Sequence, residues 1–193
     1  MAKKIGIVGK GNVGRAIQRG LSRAGHEVQV VGKDPAAVRR TAAWAEVLIL
    51  AVPFGAVDDA LKALGDSAAG KVLVDVTNAL TADMQLALGY TTSGGEELQK
   101  KAPGVKVVKA FNTVFAQHMD TGQVKGEKLA LLVSGNDASA KELVLALGRD
   151  IGFDAVDAGP LRNARWLESL GYLNILLGYV QKLGPDIGFR LVR

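Results

Sequence analysis

Short apolar runs alternate along this chain with stretches in which apolar residues return every three or four positions. Lys3–Val8 reads as a β-strand that stops in glycines. Asn12–Ala24 places Val13, Ile17 and Leu21 at i, i+4 and i+8, the period of a helix with one apolar face, and Gly25 suits the position just past its end. Glu27–Val31 is the next strand. Asp34-Pro35 then supplies a capping carboxylate and a first helical residue for a helix to about Ala45. Val47–Val52 is a continuous apolar run, the pattern of a parallel strand covered on both faces. A helix over Gly55–Leu64 and another buried strand over Lys71–Val76 follow.

Strands recurring between single helices predict βαβ units. The expected class is α/β, a Rossmann-like, doubly wound, mostly parallel sheet with a small C-terminal cap. The interval before Val47 holds one helix and no further strand, so a trimmed nucleotide-binding core is expected. Asn78–Pro103 is the least regular stretch, with turn chemistry at Thr91–Gly95 and a short polar helix through Lys101. Strands are expected again at Val105–Ala110, Lys128–Ser134 and Phe153–Asp157, with a helix at Ala138–Gly148. A long helix from about Asn163 to Lys182 closes the chain, apolar at Trp166, Leu170, Leu173, Leu177 and Val180. The expected organisation is a dinucleotide-binding core over 1–122, with 123–193 as a continuation and capping helix on the same unit. The last helix leaves an apolar face, which suits a homodimer.

Composition narrows the chemistry. The chain has 193 residues, 48% apolar and 22% charged, as expected for one soluble globular domain. Cysteine is absent, which excludes disulfides and thiolate chemistry, and with only two histidines, His26 and His118, no metal site is expected. The net charge of +5 comes from scattered basic residues, and aromatics are only 5%, with no stripe to stack bases. That speaks against nucleic acid and suits a small phosphate-bearing ligand. The first residues lack a signal-peptide pattern, and the longest apolar run, Val47–Val57, is interrupted by Pro53 and shorter than the ~20 residues of a membrane span. No membrane partner and a cytoplasmic location are expected.

Gly9-Lys10-Gly11-Asn12-Val13-Gly14 matches G-x-G-x-x-G. In a chain with 24 glycines the bare match has little weight, so its context must carry it: it follows an apolar strand and opens an amphipathic helix. Gly9 would allow the sharp turn, Gly11 the approach of a pyrophosphate, and Gly14 the packing of helix on strand. The residues ending the second strand would choose between NAD and NADP. An acid there holds a ribose hydroxyl and a base accepts a 2′-phosphate, and here Lys33 and Asp34 stand side by side. Asp34 is also explained as a helix cap, and Lys33 has Arg39 and Arg40 close by, which favours NADP.

Ala51–Phe54, Thr77-Asn78 and Phe111–Thr113 each follow an apolar run and should share the carboxyl rim of the sheet, where such folds bind ligands. Asn112 and Thr113 either hydrogen-bond a carboxamide or ring carbonyl there, or cap the next turn. Asp75 sits in a buried register, as a structural acceptor or beside the site. Asp58-Asp59 reads as surface, and Arg162, Arg165 and Glu168 as a surface group able to form i, i+3 pairs. Arg162 could instead reach a phosphate-bearing tail on the acceptor. His118 is near the rim without an acidic partner in sequence, and His26 reads as structural.

The glycine loop, Ala51-Val52-Pro53-Phe54, Asp75-Val76-Thr77-Asn78, Val108-Lys109-Ala110-Phe111-Asn112-Thr113 and Asp157-Ala158-Gly159-Pro160-Leu161 with Leu167-Glu168 occur in that order. Together they resemble the deazaflavin-dependent NADP oxidoreductase family, which includes relatives in the cytoplasmic domains of ferric reductases. The resemblance implies hydride transfer between NADP(H) and a flavin or deazaflavin ring as second substrate. It places Lys10–Val13 and Lys33 on the 2′-phosphorylated half of the cofactor, Ala51–Gly55 beside the ribose and diphosphate, and Asn78 and Phe111–Gln117 near the nicotinamide. Family members often end the second strand in Gly-Ser-Arg, where this chain reads Gly32-Lys33-Asp34. Two other readings remain at this point. One is an NAD(P)-dependent dehydrogenase of a small carbonyl or hydroxy acid, with Lys109 or His118 as its candidate general acid. The other is a dinucleotide-binding sensor without turnover.

Overall fold

In a computed structural model describing Met1–Arg193, strands β1 (Lys4–Val8), β2 (Glu27–Val31), β3 (Val47–Leu50), β4 (Val72–Asp75) and β5 (Lys106–Lys109) alternate with helices α1 (Asn12–Arg23), α2 (Pro35–Trp44), α3 (Val57–Leu64) and α4 (Gly94–Lys101). A two-residue hairpin, β6 (Gln123–Val124) and β7 (Glu127–Lys128), leads into β8 (Ala130–Gly135), α5 (Ala138–Ile151), β9 (Asp154–Asp157) and α6 (Ala164–Ile175). The main sheet runs β2-β1-β3-β4-β5-β8-β9. All neighbours are parallel except β5 and β8. The sheet ends at β2, and α2 returns the chain directly to β3 beside β1, so the core is trimmed as the spacing implies. Residues 123–193 add two strands to this same sheet and also cover it with helices.

The side-chain alternation of the inner strands explains the double winding. In β3, Val47 and Ile49 join the core under α1 and α5, whereas Leu48 and Leu50 join the core under α2, α3 and α4. Each residue of a central parallel strand is thereby buried, which is why β3 reads as four consecutive aliphatics. Helix α1 buries Ala16, Ile17 and Leu21 and turns Arg15, Arg19 and Arg23 outward. Asp34 caps α2, Ser93 caps α4 and Asp137 caps α5, each accepting from a backbone N–H of the first turn. No side chain caps α1.

The expected long final helix is instead a 3₁₀ turn at Leu161–Asn163, then α6, then a wider π turn at Leu176–Val180. Its inner side meets Asn112 and Phe115 so closely that glycines stand at the contacts. A Cβ at Gly171 would lie 2.7 Å from the Asn112 carbonyl oxygen, and one at Gly178 would lie 2.7 Å from the Phe115 ring. No helix is long and apolar enough to cross a membrane.

Candidate dinucleotide site at the strand crevice

The order of the strands reverses between β1 and β3: the chain leaves β1 toward β2, then crosses back to β3. Ligands of open parallel sheets sit beyond the strand ends at such a point. Here a cavity of about 790 Å³ opens there, lined by Gly9, Lys10 and Gly11, by Lys33 and Arg39, by Ala51–Pro53, and by one face of α3.

The three glycines of the loop differ in what requires them. Gly9 has φ +129°, and a Cβ on it would fall 2.0 Å from the Ala51 carbonyl oxygen. A Cβ on Gly14 would fall 2.0 Å from the Gly9 carbonyl oxygen, so that residue is needed for α1 to cross the loop. Gly11 has ordinary extended backbone, φ −75°, and a Cβ there would meet nothing within 4 Å. The fold therefore asks for glycine at 9 and 14 but not at 11. What a side chain at 11 would enter is the space beside the uncapped first turn of α1. The free N–H groups and positive dipole end at that turn form a ready anion site.

Charge around this space is sorted. Lys10, Lys33, Arg39 and Lys62 line the cavity against a single carboxylate, Asp59, and none of the four cations is ion-paired. The basic residues on the far side of the molecule are mostly paired, for example Lys141 with Asp157 at 2.8 Å and Arg193 with Asp154 at 2.8 Å. Asp34 is not in the wall. Its Oδ1 accepts from the Ala36 N–H at 3.1 Å, the capping role that competed with ribose binding in the sequence. Lys62 is a wall residue the sequence reading missed. Its signal was the pair Ala60 and Ala63 on the same helix, with Ala56 just before it, where small side chains line the cavity.

The remaining sequence candidates separate into groups. Asn12 faces the other flank of α1, Val13 packs on the core, and Gly14 is buried. Phe54 packs against the second core and toward α4, with its ring 3.3 Å from where a Gly94 Cβ would stand, and Gly55 is exposed in a 3₁₀ turn. Phe111 is a correction as a surface that could meet nicotinamide. Its φ of +67° turns the side chain inward, where it is 2% exposed and stacks edge-on with Phe153. Asn78 and Asn112 are joined: the Asn78 amide donates to the Asn112 carbonyl at 3.0 Å, and the Asn112 amide donates to Asn78 Oδ1 at 3.0 Å and Leu167 O at 2.8 Å. The Asn112 side-chain oxygen is buried without a partner.

Beneath this rim lies a buried ionic cluster. Lys109 Nζ is fully buried, 2.8 Å from both Asp75 Oδ2 and Glu168 Oε1, and it donates to the Thr77 carbonyl at 2.5 Å. Glu168 also accepts from the Gly94 and Gly95 N–H groups at 2.9 and 3.2 Å, and Asp75 accepts from the Thr77 N–H at 2.9 Å. Burial opposes the ammonium charge of Lys109, but the two carboxylates outweigh it and hold its pKa above the usual lysine value. Glu168 is thus not a surface partner of Arg162 or Arg165. It faces inward, while Arg165 makes a two-pronged pair with Glu96 at 2.7 and 2.8 Å. Both histidines are also engaged. His26 sits between the Lys3 N–H and Asp150, and His118 lies against the Pro185 carbonyl and Asp186.

A family model described as coenzyme F420-dependent NADP oxidoreductase matches residues 4–44 and 36–79, the part of the chain that builds the crevice. A crystal structure from Arthrobacter sp. FB24, described as a candidate F420-dependent NADP reductase, superposes with a TM-score of 0.89 and 32% identity, covering 100% of both chains. The chain belongs to the F420-dependent NADP oxidoreductase family. Another relative, the F420-dependent NADP reductase of Methanothermobacter marburgensis, is 27% identical over 92% of this chain and 84% of its own length. The metalloreductase STEAP3 of Rattus norvegicus is 32% identical over 88% of this chain, which spans only 36% of that protein.

Proposed function

We propose that this protein is an NADPH-dependent reductase of a flavin or deazaflavin ring. The observation that carries the reading is the crevice itself, with Gly11 open beside an uncapped helix end and Lys33, Arg39 and Lys62 unpaired around it. These features fit a dinucleotide carrying both a diphosphate and a 2′-phosphate. The N–H groups of α1 and Lys10 would hold the diphosphate, and Lys33 with Arg39 the 2′-phosphate, with Ala51–Pro53 against the ribose. When bound, NADPH supplies a hydride, which a flavin or deazaflavin ring accepts together with one proton from solvent.

Such a transfer asks the protein for alignment and exclusion of water rather than for an acid or base. That matches the engagement of Lys109, His26 and His118 in contacts of their own. A carbonyl dehydrogenase would need one of them, or a comparable group, free at the rim. Asn78 and Asn112 support the nicotinamide end by fixing the β4 and β5 rims to each other and to α6. The deciding experiment follows NADPH and NADH oxidation with FMN, FAD, coenzyme F420 and a panel of small carbonyls. Oxidation of NADPH in preference to NADH, and only with a ring acceptor, is the expected result. Turnover with a carbonyl alone, or tight dinucleotide binding with no turnover, rejects the proposal.

A homodimer is the second part of this reading. Trp166, Leu173 and Val180 lie seven residues apart along the last helical segment and are 61%, 47% and 61% exposed. Burying that stripe against a second copy is the simplest way to remove it from water. Light scattering should give twice the 20.2 kDa chain mass, and a monomer at all concentrations refutes it.

A further inference from the structure

A second basic hollow lies on the other flank of α1, and the dinucleotide reading does not use it. It holds about 310 Å³ and is lined by Asn12, Arg15, Arg19, Ala116 and Gln117. It shares no residue with the wall of the crevice cavity. A further hollow of about 350 Å³, lined by Lys10, Arg15, Gln18, Arg19 and Val30, links the two. Lys10 belongs to this hollow and to the crevice, and Arg15 and Arg19 to this hollow and to the groove.

The charges in the groove are unequally engaged. Arg19 is anchored by Asp120 at 3.1 Å, and Arg23 reaches the Asp120 carbonyl. Arg15 is exposed, and its one polar contact is from Nε to the Lys10 carbonyl at 3.0 Å. That contact ties the guanidinium to the glycine loop through Nε, and neither terminal nitrogen has a partner in the chain. A fixed planar fork with open donors suits a phosphate or carboxylate.

The position identifies the ligand class. Asn12 is the first residue of α1, at the diphosphate end of the glycine loop. Ala116 and Gln117 belong to the turn that follows the β5 rim through Phe111–Phe115. The groove therefore lies between the first turn of α1 and the turn beyond the β5 rim, beside the rim to which the nicotinamide end is assigned above. An acceptor ring with a flexible tail ending in an anion matches that position. Phosphorylated flavins and coenzyme F420 both have that chemistry.

Resting on the reductase reading above, we propose that the groove between α1 and the Ala116–His118 turn binds the anionic tail of the ring acceptor. Arg15 is its principal charge, with Asn12, Arg19 and Gln117 as polar walls. The site would select phosphate- or carboxylate-tailed acceptors over bare rings.

The test compares tailed and tailless rings by equilibrium fluorescence binding in the presence of saturating NADP⁺, without turnover. FMN is paired with riboflavin, and coenzyme F420 with its tailless deazariboflavin core. Wild type should bind one or both tailed members about tenfold more tightly than their partners, less so at high salt. The pair that shows the preference identifies the source of the tail. Gln117→Glu adds a repelling charge without breaking any contact, and Arg15→Gln removes the fork. Each should bring the tailed-to-tailless ratio near one at an unchanged melting temperature, and Arg15→Gln should also leave NADP⁺ affinity in place. Equal affinities in wild type, equal losses for both members of a pair, or a loss of NADP⁺ binding in place of tail selectivity would overturn the groove proposal while leaving the reductase reading intact. If wild type binds none of the four rings, and a separate turnover assay shows NADPH oxidised with none of them, the reductase reading itself fails, and the groove proposal with it.

Discussion

Lys109→Met tests whether the buried ionic cluster holds the rim together. The substitution keeps most of the aliphatic stem but removes an ammonium placed 2.8 Å from Asp75 and Glu168 and 2.5 Å from the Thr77 carbonyl. Deleting one partner of a buried ion pair costs about 3–5 kcal/mol, because the other is left uncompensated. Here two carboxylates would face each other and the Thr77 carbonyl would lose its donor, so the upper half of that range, about 4–5 kcal/mol, is expected. At ~2–4 °C per kcal/mol for a chain of this size, the melting temperature should fall by roughly 8–20 °C at pH 7. The triple change Asp75→Asn, Lys109→Met, Glu168→Gln keeps acceptors for the Thr77, Gly94 and Gly95 N–H groups and leaves no net charge. It should lie within about 2 kcal/mol of wild type. Thermal unfolding followed by circular dichroism between pH 5 and 8 reads all of this. A single variant melting within ~2 °C of wild type, or a triple variant no better than the single one, would refute the reasoning.

Other consequences are open to the same kind of check. Gly11→Ala should change the melting temperature by no more than about 3 °C, since its Cβ meets nothing within 4 Å, yet weaken NADP⁺ at least tenfold in calorimetry. Gly14→Ala, whose Cβ would be 2.0 Å from a carbonyl oxygen, should cost about 3 kcal/mol or more in denaturant unfolding. Lys33→Ala and Arg39→Ala should each raise the NADPH dissociation constant several-fold and leave NADH nearly unchanged; equal losses for both nucleotides reject the 2′-phosphate role. With pH, the raised pKa of Lys109 means its stabilisation is complete below the unfolded lysine value of about 10.4 and is lost as pH rises through the higher folded value. Glu96 runs the opposite way. Its hydrogen bonds from Arg165 lower its pKa, so its contribution is present above the unfolded value of about 4.3 and is lost as pH falls through the folded one. Arg165→Ala should therefore flatten the acid limb of the stability profile measured between pH 2 and 6.

The parts of the fold that could be read from the sequence are those with local causes. Four aliphatics in β3 announce a strand buried on both faces, and Asp34-Pro35 announces a helix start, because period and capping act within a few residues. The final helix was legible in its period but not in its ending. The π turn at Leu176–Val180 accompanies the close approach of Gly178 to Phe115, which lies sixty-odd residues earlier in the chain. The same limit applies at the site. The glycine loop is local and was found, whereas the inward turn of Phe111 depends on Phe153, and the burial of Glu168 depends on Lys109 and on the N–H groups of Gly94 and Gly95. Reading Glu168 as a surface residue applied the i, i+3 rule to its own helix. That rule gives the neighbours on the helix surface but not which side faces the core.

Lys109 and Lys33 show why position in the sequence was not enough to assign either. Both lysines lie at or just beyond the carboxyl ends of strands in the same parallel block, where a cation could serve a phosphate or a reacting carbonyl. Lys109 follows Val108 at the centre of the sheet, and α4 and α6 close over it; burial of that kind would be prohibitive without compensation, and Asp75 and Glu168 supply it. Lys33 follows the edge strand β2, where no helix covers it and Asp34 is committed to the Ala36 N–H. One cation is therefore neutralised inside the protein and the other is left to be neutralised by whatever enters the crevice. The distinction comes from strand order, which puts β5 in the middle of the sheet and β2 at its edge. In this fold, strand order thus decides which charges stabilise the scaffold and which remain for a ligand.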